Sequence, residues 1–346
     1  MLRLTHTVSH CVLTLILITS ATVESSGQSS KQKWKLIWQD EFNARDASPI
    51  DKSKWTPEVG GHGWGNHELQ YYTDRIDNAF QSNGSLVIKA IKEEFTGRDN
   101  VTRSYTSARL ITKRTFTTTY GRFEARIKLP RGQGIWPAFW LLGNDIAKVG
   151  WPKCGEIDIM ELIGKEPSTI HGTIHGPGYS GGKGLSSSHS LGEGKQFADA
   201  FHVFAIEWEP KTIRFYCDDV LYKTVTAADL PPGTTWVYDH PFYILLNVAV
   251  GGDWPGNPDS TTSFPQAMLV DYIRVFKKLD TTRLQPVVLQ LLSYQHQLRM
   301  VHCSCEVEIP PARAWWCPNC IPSFVVVKLK YHRLEPGGVR TVSPAL

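Results

Sequence analysis

Short segments of alternating polar and apolar residues, separated by turn residues, recur from Trp34 to Phe276. The pattern is clearest in 121–129, where charged residues occupy the even positions and apolar residues most of the odd ones. A period of two places the apolar side chains on one face of a β-strand. The pattern therefore predicts an all-β sandwich of two antiparallel sheets. Further strands are predicted over 85–91, 201–208, 213–225, 242–250 and 268–276.

One predicted strand carries three carboxylates, in the sequence GEIDIME at 155–161. Alternation places Glu156 and Asp158 on one face of this strand and Glu161 on the other. A β-bulge at 159–160 would return Glu161 to the face of the first two acids. The sequence therefore predicts one acidic row above an apolar floor.

Three neighbouring carboxylates cannot all ionise at their ordinary pKa values, so one of them keeps its proton to higher pH. An ionised carboxylate beside a protonated one is what a glycosidase needs, and in retaining enzymes the pair lies roughly 5–5.5 Å apart. A solvated acidic face and a cation site are the alternatives. The apolar residues on either side of the acids favour a buried strand instead.

The acidic segment resembles the signature of glycoside hydrolase family 16, in the form that laminarinase-like β-1,3-glucanases carry. The resemblance spans residues 34–278 and implies a β-jelly roll with a concave sheet as substrate cleft. Five further blocks follow in the family's order: WQDEF at 38–42, WGNHELQYYT at 64–73, YGRFE at 120–124, WPAFW at 136–140 and GGDWPG at 251–256.

The resemblance also implies roles for the three acids. Glu156 is expected to be the nucleophile that forms a covalent glycosyl-enzyme, and Glu161 the general acid and base. Asp158 is expected to hydrogen-bond Glu156 and to keep Glu161 protonated through its charge. The product would keep its β configuration.

Substrate-binding residues are expected on the strands and loops around this row. His175 shares a strand face with His171 and is expected to hydrogen-bond Glu161 or sugar. A metal site and ordinary packing are the alternatives. Core packing is the alternative for Trp136 and Trp140. The long connections 57–67, 143–155, 176–197 and 251–264 are expected to form the cleft rims, with 176–194 mobile. The complete predicted set is Asn66, Glu68, Trp136, Trp140, Trp151, His175 and Trp254, with Arg75, Arg109 and Gln133 as weaker candidates.

A structural calcium ion is a further implication of the resemblance, although catalysis itself is expected to need no cofactor. The matching positions are Glu41, the carbonyl group of Gly84, and Asp271. Oxygen ligands from separate strands suit a hard cation. Ordinary surface acids are the alternative reading of Glu41 and Asp271.

The two ends of the chain differ from its centre. Residues 1–21 have the basic start, short apolar run and small residues of a secretory signal, and 22–33 read as a spacer. We therefore expect a secreted or periplasmic monomer with no membrane contact after signal removal. In the tail, 279–346, four cysteines lie within 18 residues, which leaves disulfides, disorder or a zinc site open.

The predicted function is endo-hydrolysis of β-1,3-glucans, with mixed β-1,3/1,4-glucans as further substrates. A net charge of +4 is too small to indicate a nucleic-acid partner. A transglycosylase would share every catalytic residue. A non-catalytic β-glucan recognition protein is disfavoured because both glutamates are present. Asp253 stands where the family commonly has Asn, so fine specificity stays open.

Overall fold

The computed structural model describes residues 34–279, and this part of the chain is almost entirely β-structure. Within it, no helix is long and apolar enough to span a membrane. One short helix, α1 (Ile146–Val149), and two 3₁₀ turns interrupt the strands. The strands are β1 (Trp34–Asp40), β2 (Ser48–Pro49), β3 (Thr56–Glu58), β4 (Gln70–Tyr72), β5 (Ala79–Ser82), β6 (Ser85–Thr96), β7 (Thr102–Ser107), β8 (Arg109–Ile111), β9 (Gly121–Lys128), β10 (Ile135–Gly143), β11 (Glu156–Glu161), β12 (Thr169–His175), β13 (Leu185–Ser190), β14 (His202–Glu209), β15 (Thr212–Cys217), β16 (Val220–Thr226), β17 (Phe242–Val250) and β18 (Gln266–Lys278).

The strands form two sheets. The larger has 11 strands and runs β16-β15-β14-β9-β18-β6-β5-β2, with β1 paired to β18 and with β7 linking β6 to β4. The smaller has seven strands in the order β13-β12-β11-β10-β17-β8-β3. All pairs are antiparallel except β4 with β7. The predicted all-β jelly-roll sandwich is confirmed.

The core lies between the two sheets because each presents an apolar face to the other. Strand β9 alternates strictly between buried and partly exposed residues, as its sequence predicts. Strand β17 differs, since all nine of its residues are buried. Burial at about 25 cal/mol per Å² of apolar surface makes this core the main stabilising contribution to the fold. Its largest fully buried side chains include Trp55, Trp208, Phe123, Phe139, Phe204 and Phe215.

The predicted bulge in β11 is present. Against β10, Met160 pairs with Phe139 and Asp158 pairs with Trp140, so Ile159 is the extra residue. The register against β12 also shifts between Asp158 and Glu161. Both Ile159 and Met160 are fully buried. The bulge thus leaves the apolar floor intact while it reverses the direction of Glu161.

Two predicted connections contain regular structure. In 176–197, where the sequence predicts only a connection, Leu185–Ser190 form the edge strand β13. Its serines alternate in exposure without an apolar face, which is why the sequence gives no strand signal. Connection 143–155 contains α1. The predicted signal segment, the spacer and the tail from residue 280 onward lie outside the described residues and stay predictions.

Candidate active site

The three acids of β11 line one cleft on the seven-stranded sheet, with a volume of about 940 Å³. Glu156 and Glu161 are partly exposed to the cleft, whereas Asp158 between them is only 3% exposed. The prediction of one acidic row is therefore confirmed in the structure. Strand β12 adds two histidines beside the acidic row, because it places His175 opposite Glu156 and His171 opposite Glu161.

Each terminal glutamate accepts a hydrogen bond from a different tryptophan. Trp151 Nε1 donates to Glu156 Oε2 at 3.0 Å, and Trp136 Nε1 donates to Glu161 Oε1 at 3.0 Å. Trp136 belongs to the neighbouring strand β10, whereas Trp151 lies in the connection before β11. An indole N–H donates only, so each bond favours the ionised carboxylate and fixes its orientation.

Burial shifts the protonation of all three acids in the same direction. It raises the pKa of Glu156 to about 8, with the charge of Asp158 as the next cause. It also raises the pKa of Glu161 well above its ordinary value, and the charges of Asp158 and Glu156 add to that rise. The pKa of Asp158 is raised by burial as well. A neutral acid at Glu161 is therefore favoured in the resting protein.

The predicted hydrogen bond from Asp158 to Glu156 is not present. Asp158 Oδ2 instead lies 3.1 Å from His175 Nε2, at an angle that makes no hydrogen bond, and Glu156 Oε1 lies 3.8 Å from the same nitrogen. Two residues on the same strand face are about 6–7 Å apart along the strand, so a cross-strand histidine comes closer. One donor atom from each of these three residues lies within 4.8 Å of the others, which also leaves the cation-site alternative open.

Five tryptophans line the cleft: Trp64, Trp136, Trp140, Trp151 and Trp254. Trp136 and Trp140 lie on the same face of β10 and are partly exposed, so neither is purely a core residue. Trp151 and Trp254 are loop residues, 48% and 37% exposed. Trp254 packs edge-to-face against Trp136, with ring centroids 5.6 Å apart, and against His171 at 5.1 Å. Exposed aromatic faces beside the acids are suited to stacking on a sugar ring.

Glu68 also lines the cleft, but its carboxylate is bonded to the protein. Asn66 Nδ2 donates to Glu68 Oε1 at 3.2 Å. The other oxygen accepts from Gln70 Nε2 at 2.6 Å and from Tyr72 OH at 3.2 Å. Burial raises the pKa of Glu68 against these contacts. The network supports a positioning role for Glu68, while direct sugar contacts by Asn66 and Glu68 stay a prediction.

The same network reaches the cleft tryptophan Trp140. Asn247 Nδ2 donates to Tyr72 OH at 3.2 Å, and Asn247 Oδ1 accepts from Trp140 Nε1 at 2.8 Å. Trp140 is thereby held by a buried chain of hydrogen bonds that begins at Glu68. Buried networks of this kind fix one orientation only when every member has a partner.

Arg109, a weaker candidate from the sequence, lines the cleft and contacts two of its tryptophans. Its guanidinium lies 4.7 Å from the ring centroid of Trp64 and 4.7 Å from that of Trp140. Arg109 Nε also donates to Glu58 Oε2 at 2.6 Å. Cation–π contacts on two rings hold both tryptophans at one end of the cleft. No local sequence signal marks this role, because the partners come from different strands and loops.

The other two weaker candidates, Gln133 and Arg75, bind other parts of the protein. Gln133 donates to the carbonyls of Pro255 and Asn257 and so fixes the loop that carries Trp254. Arg75 pairs with Glu93 away from the cleft.

The expected calcium ligands each have other partners. Both oxygens of Glu41 accept from Arg274, at 2.8 Å each, and this bond lowers the pKa of Glu41. Asp271 Oδ2 accepts from Arg126 Nη1 at 2.6 Å, and Gly84 lies in the turn between β5 and β6. As they are arranged here, both carboxylates are paired with arginines. The calcium site stays a prediction.

The raised pKa of Glu156 predicts a pH-dependent cost to the fold. An acid that holds its proton more tightly when folded destabilises the native state as pH rises from about 4.5, its unfolded value, to about 8. Glu156→Gln removes that charge. We expect the variant to match the parent at pH 4 and to exceed it at pH 8 by roughly 1–3 kcal/mol, or about 3–8 °C in Tm.

Thermal unfolding at pH 4, 6 and 8 measures this difference. Glu94→Gln is the matched control, since Glu94 is exposed on β6 and is expected to show no such trend. A Glu156→Gln variant whose stability gain is the same at every pH would contradict the assigned burial cost.

Comparison with known proteins finds a matching family, similar sequences and similar structures. The sequence model for glycosyl hydrolases family 16 matches residues 66–274. A β-glucanase from Rhodothermus marinus is 42% identical over 274 residues, covering 77% of this chain and 93% of that relative. A glucan endo-1,3-β-glucosidase from Cryptopygus antarcticus is 37% identical over 233 residues, covering 64% and 83%. The structure of an endo-β-1,3-glucanase from Pyrococcus furiosus matches with a TM-score of 0.69 and 51% identity, covering 72% of this chain and 97% of that one.

Proposed function

Because this chain belongs to glycosyl hydrolases family 16, we propose that it cleaves internal β-1,3 bonds of β-glucans and retains the anomeric configuration. Mixed β-1,3/1,4-glucans are the proposed second substrate. The observation that carries the proposal is the bulge in β11, which brings Glu156 and Glu161 to one cleft wall. The names of the relatives support the substrate class.

In the first proposed step, a carboxylate oxygen of Glu156 attacks the anomeric carbon of the sugar. The bond from that carbon to the glycosidic oxygen breaks, and Glu161 gives its proton to the leaving oxygen. In the second step, Glu161 removes a proton from water, whose oxygen displaces Glu156 from the anomeric carbon. Two inversions give net retention.

The surroundings of the two glutamates support this division of roles. The positive charge of Arg109 lowers the pKa of Glu156. The negative charges of Asp158 and Glu156 both raise the pKa of Glu161. These charges favour ionisation of Glu156 and protonation of Glu161, which is the division that the two roles require.

Product analysis tests the proposal. We expect oligosaccharides of several lengths from laminarin, slower release from lichenan and none from agarose. Proton NMR at early times is expected to show the β anomer before mutarotation, with EDTA leaving the rate unchanged. The first appearance of the α anomer would rule out the two-step mechanism.

Two other outcomes would replace the proposed function. Products longer than the substrate would indicate that a second sugar takes the place of water, as in a transglycosylase. Tight binding of laminarin with no new reducing ends would indicate a recognition protein. The presence of both Glu156 and Glu161 in the cleft favours hydrolysis over this second outcome.

We also propose that the enzyme works outside the cell as a monomer. A polysaccharide does not cross a membrane, so an enzyme that cuts it is of use where the polymer lies. The apolar run near the start of the sequence agrees with export. Amino-terminal sequencing of the mature protein, expected to begin near residue 22, tests the proposed export.

A further inference from the structure

A second cluster of possible ligands lies away from the cleft, on the eleven-stranded sheet. His202 begins β14, Cys217 ends β15, and Asp218 starts the turn to β16. One ring nitrogen, the thiol sulfur and one carboxylate oxygen all lie within 4.8 Å of one another. Among the described residues, only one other group of this kind is found, and it belongs to the cleft. None of the three residues lines the cleft.

Local structure holds the three side chains in place. His202 Nδ1 lies 2.6 Å from Asp218 Oδ2, while Asp218 Oδ1 accepts from the backbone N–H of Val203 at 2.8 Å. The ring of Phe197 packs edge-to-face on His202, with centroids 4.9 Å apart. Cys217 is buried, without a disulfide partner. The donors are therefore ordered before any ion arrives, which reduces the entropy cost of binding.

We propose that His202, Cys217 and Asp218 bind one zinc ion, with water as the fourth ligand. Zinc accepts sulfur, nitrogen and oxygen donors in a tetrahedral arrangement, with bonds of about 2.0–2.3 Å. Donor atoms around such an ion lie about 3.3–3.6 Å apart, so the nitrogen and oxygen, now 2.6 Å apart, would separate to admit the ion, with the sulfur within 4.8 Å of both. Calcium and magnesium prefer oxygen ligands only and do not suit a thiol and an imidazole.

Binding exchanges protons for the ion. The thiol proton of Cys217 leaves to solvent as its sulfur binds. Zinc takes the place of the proton between His202 Nδ1 and Asp218 Oδ2, and the ring binds as the neutral tautomer with its proton on Nε2. Burial raises the pKa of Cys217 to about 12, so displacing that proton lowers the affinity below that of a site with a ready thiolate. The exposed side of Asp218, 47% accessible, gives the ion and its water a route in.

A zinc ion here would tie the ends of β14 and β15 and the turn to β16. The ion stabilises the folded state because it binds the folded state more tightly than the unfolded chain. The site is separate from the proposed glucan chemistry, so hydrolysis of laminarin reports on one proposal and zinc binding on the other.

The test uses the full chain with the four tail cysteines changed to serine, because 303, 305, 317 and 320 are themselves possible ligands. After chelator treatment and dialysis, Co²⁺ is added as a spectroscopic probe and then displaced by Zn²⁺. We expect the near-ultraviolet band of a cobalt–thiolate bond at one equivalent. We also expect zinc at about 100 times Kd to raise Tm by about 5 °C.

Cys217→Val keeps the site apolar and of similar volume while removing the sulfur, and is expected to lose both the band and the Tm rise. His202→Gln is expected to lose at least tenfold in zinc affinity. Cys154→Ala, at the other buried thiol, is the matched control and is expected to keep both signals. No cobalt–thiolate band in the parent, or an equal zinc response in Cys217→Val, would overturn the site.

Discussion

Glu156→Ala is expected to lower kcat/KM for laminarin by at least about a thousandfold while leaving the protein folded. The attacking oxygen is lost, and the neighbouring carboxylate of Asp158, only 3% exposed, is too buried to replace it. The variant leaves a space beside the anomeric carbon. Azide is small enough to enter it and to attack an activated aryl β-glycoside directly, without a covalent enzyme intermediate.

The product of that rescue identifies the role of the residue. One displacement by azide inverts the anomeric centre, so Glu156→Ala is expected to give the α-glycosyl azide. Circular dichroism and Tm establish that the variant is folded, and Glu94→Ala on an exposed position serves as the matched control. A β-glycosyl azide from Glu156→Ala, or activity within tenfold of the parent, would remove Glu156 from the nucleophile's role.

Much of this site follows from local patterns in the sequence. The period of two predicts β11, and the count from Glu156 to Glu161 requires an extra residue if both acids are to face the cleft. The structure has that residue at Ile159. Alternation likewise places Trp136 and Trp140, four residues apart, on one face of β10, as the structure does. These features depend on strand parity, which a sequence records directly.

The partners of the acids could not be predicted in the same way. The bond from Trp151 to Glu156 depends on the path of a loop, and the contact of His175 with Asp158 depends on the register between two strands. Arg109 lies between two rings that are distant from it in the sequence. Each of these contacts joins residues through tertiary packing, which no periodicity describes.

Strand β13 was missed for a different reason. Its sequence, Leu185 to Ser190, has one apolar residue, and it forms a strand because β12 offers an unpaired edge. Backbone hydrogen bonds to that edge need no particular side chains. An edge strand of this composition is therefore invisible to a hydrophobic pattern.

Glu161→Ala is expected to separate substrates by their leaving groups. Hydrolysis of laminarin needs a proton on the departing sugar oxygen, so its kcat/KM is expected to fall about 10³-fold. From a dinitrophenyl β-glycoside, dinitrophenolate departs without that proton, so the first step is expected to change less than tenfold. Azide then attacks the glycosyl-enzyme in place of water and is expected to give the β-glycosyl azide. Equal losses on both substrates would contradict the role of Glu161 as acid.

The dependence of kcat/KM on pH tests the role of Glu161 independently. Activity requires protonated Glu161, so the alkaline limb of kcat/KM against pH is expected to follow its raised pKa and to disappear in Glu161→Ala. Trp136→Phe removes the N–H donor that lowers this pKa, while an aromatic ring remains in the cleft. That variant is expected to shift the alkaline limb to higher pH. A shift to lower pH, or an unchanged limb, would mean that the bond from Trp136 does not lower the pKa of Glu161.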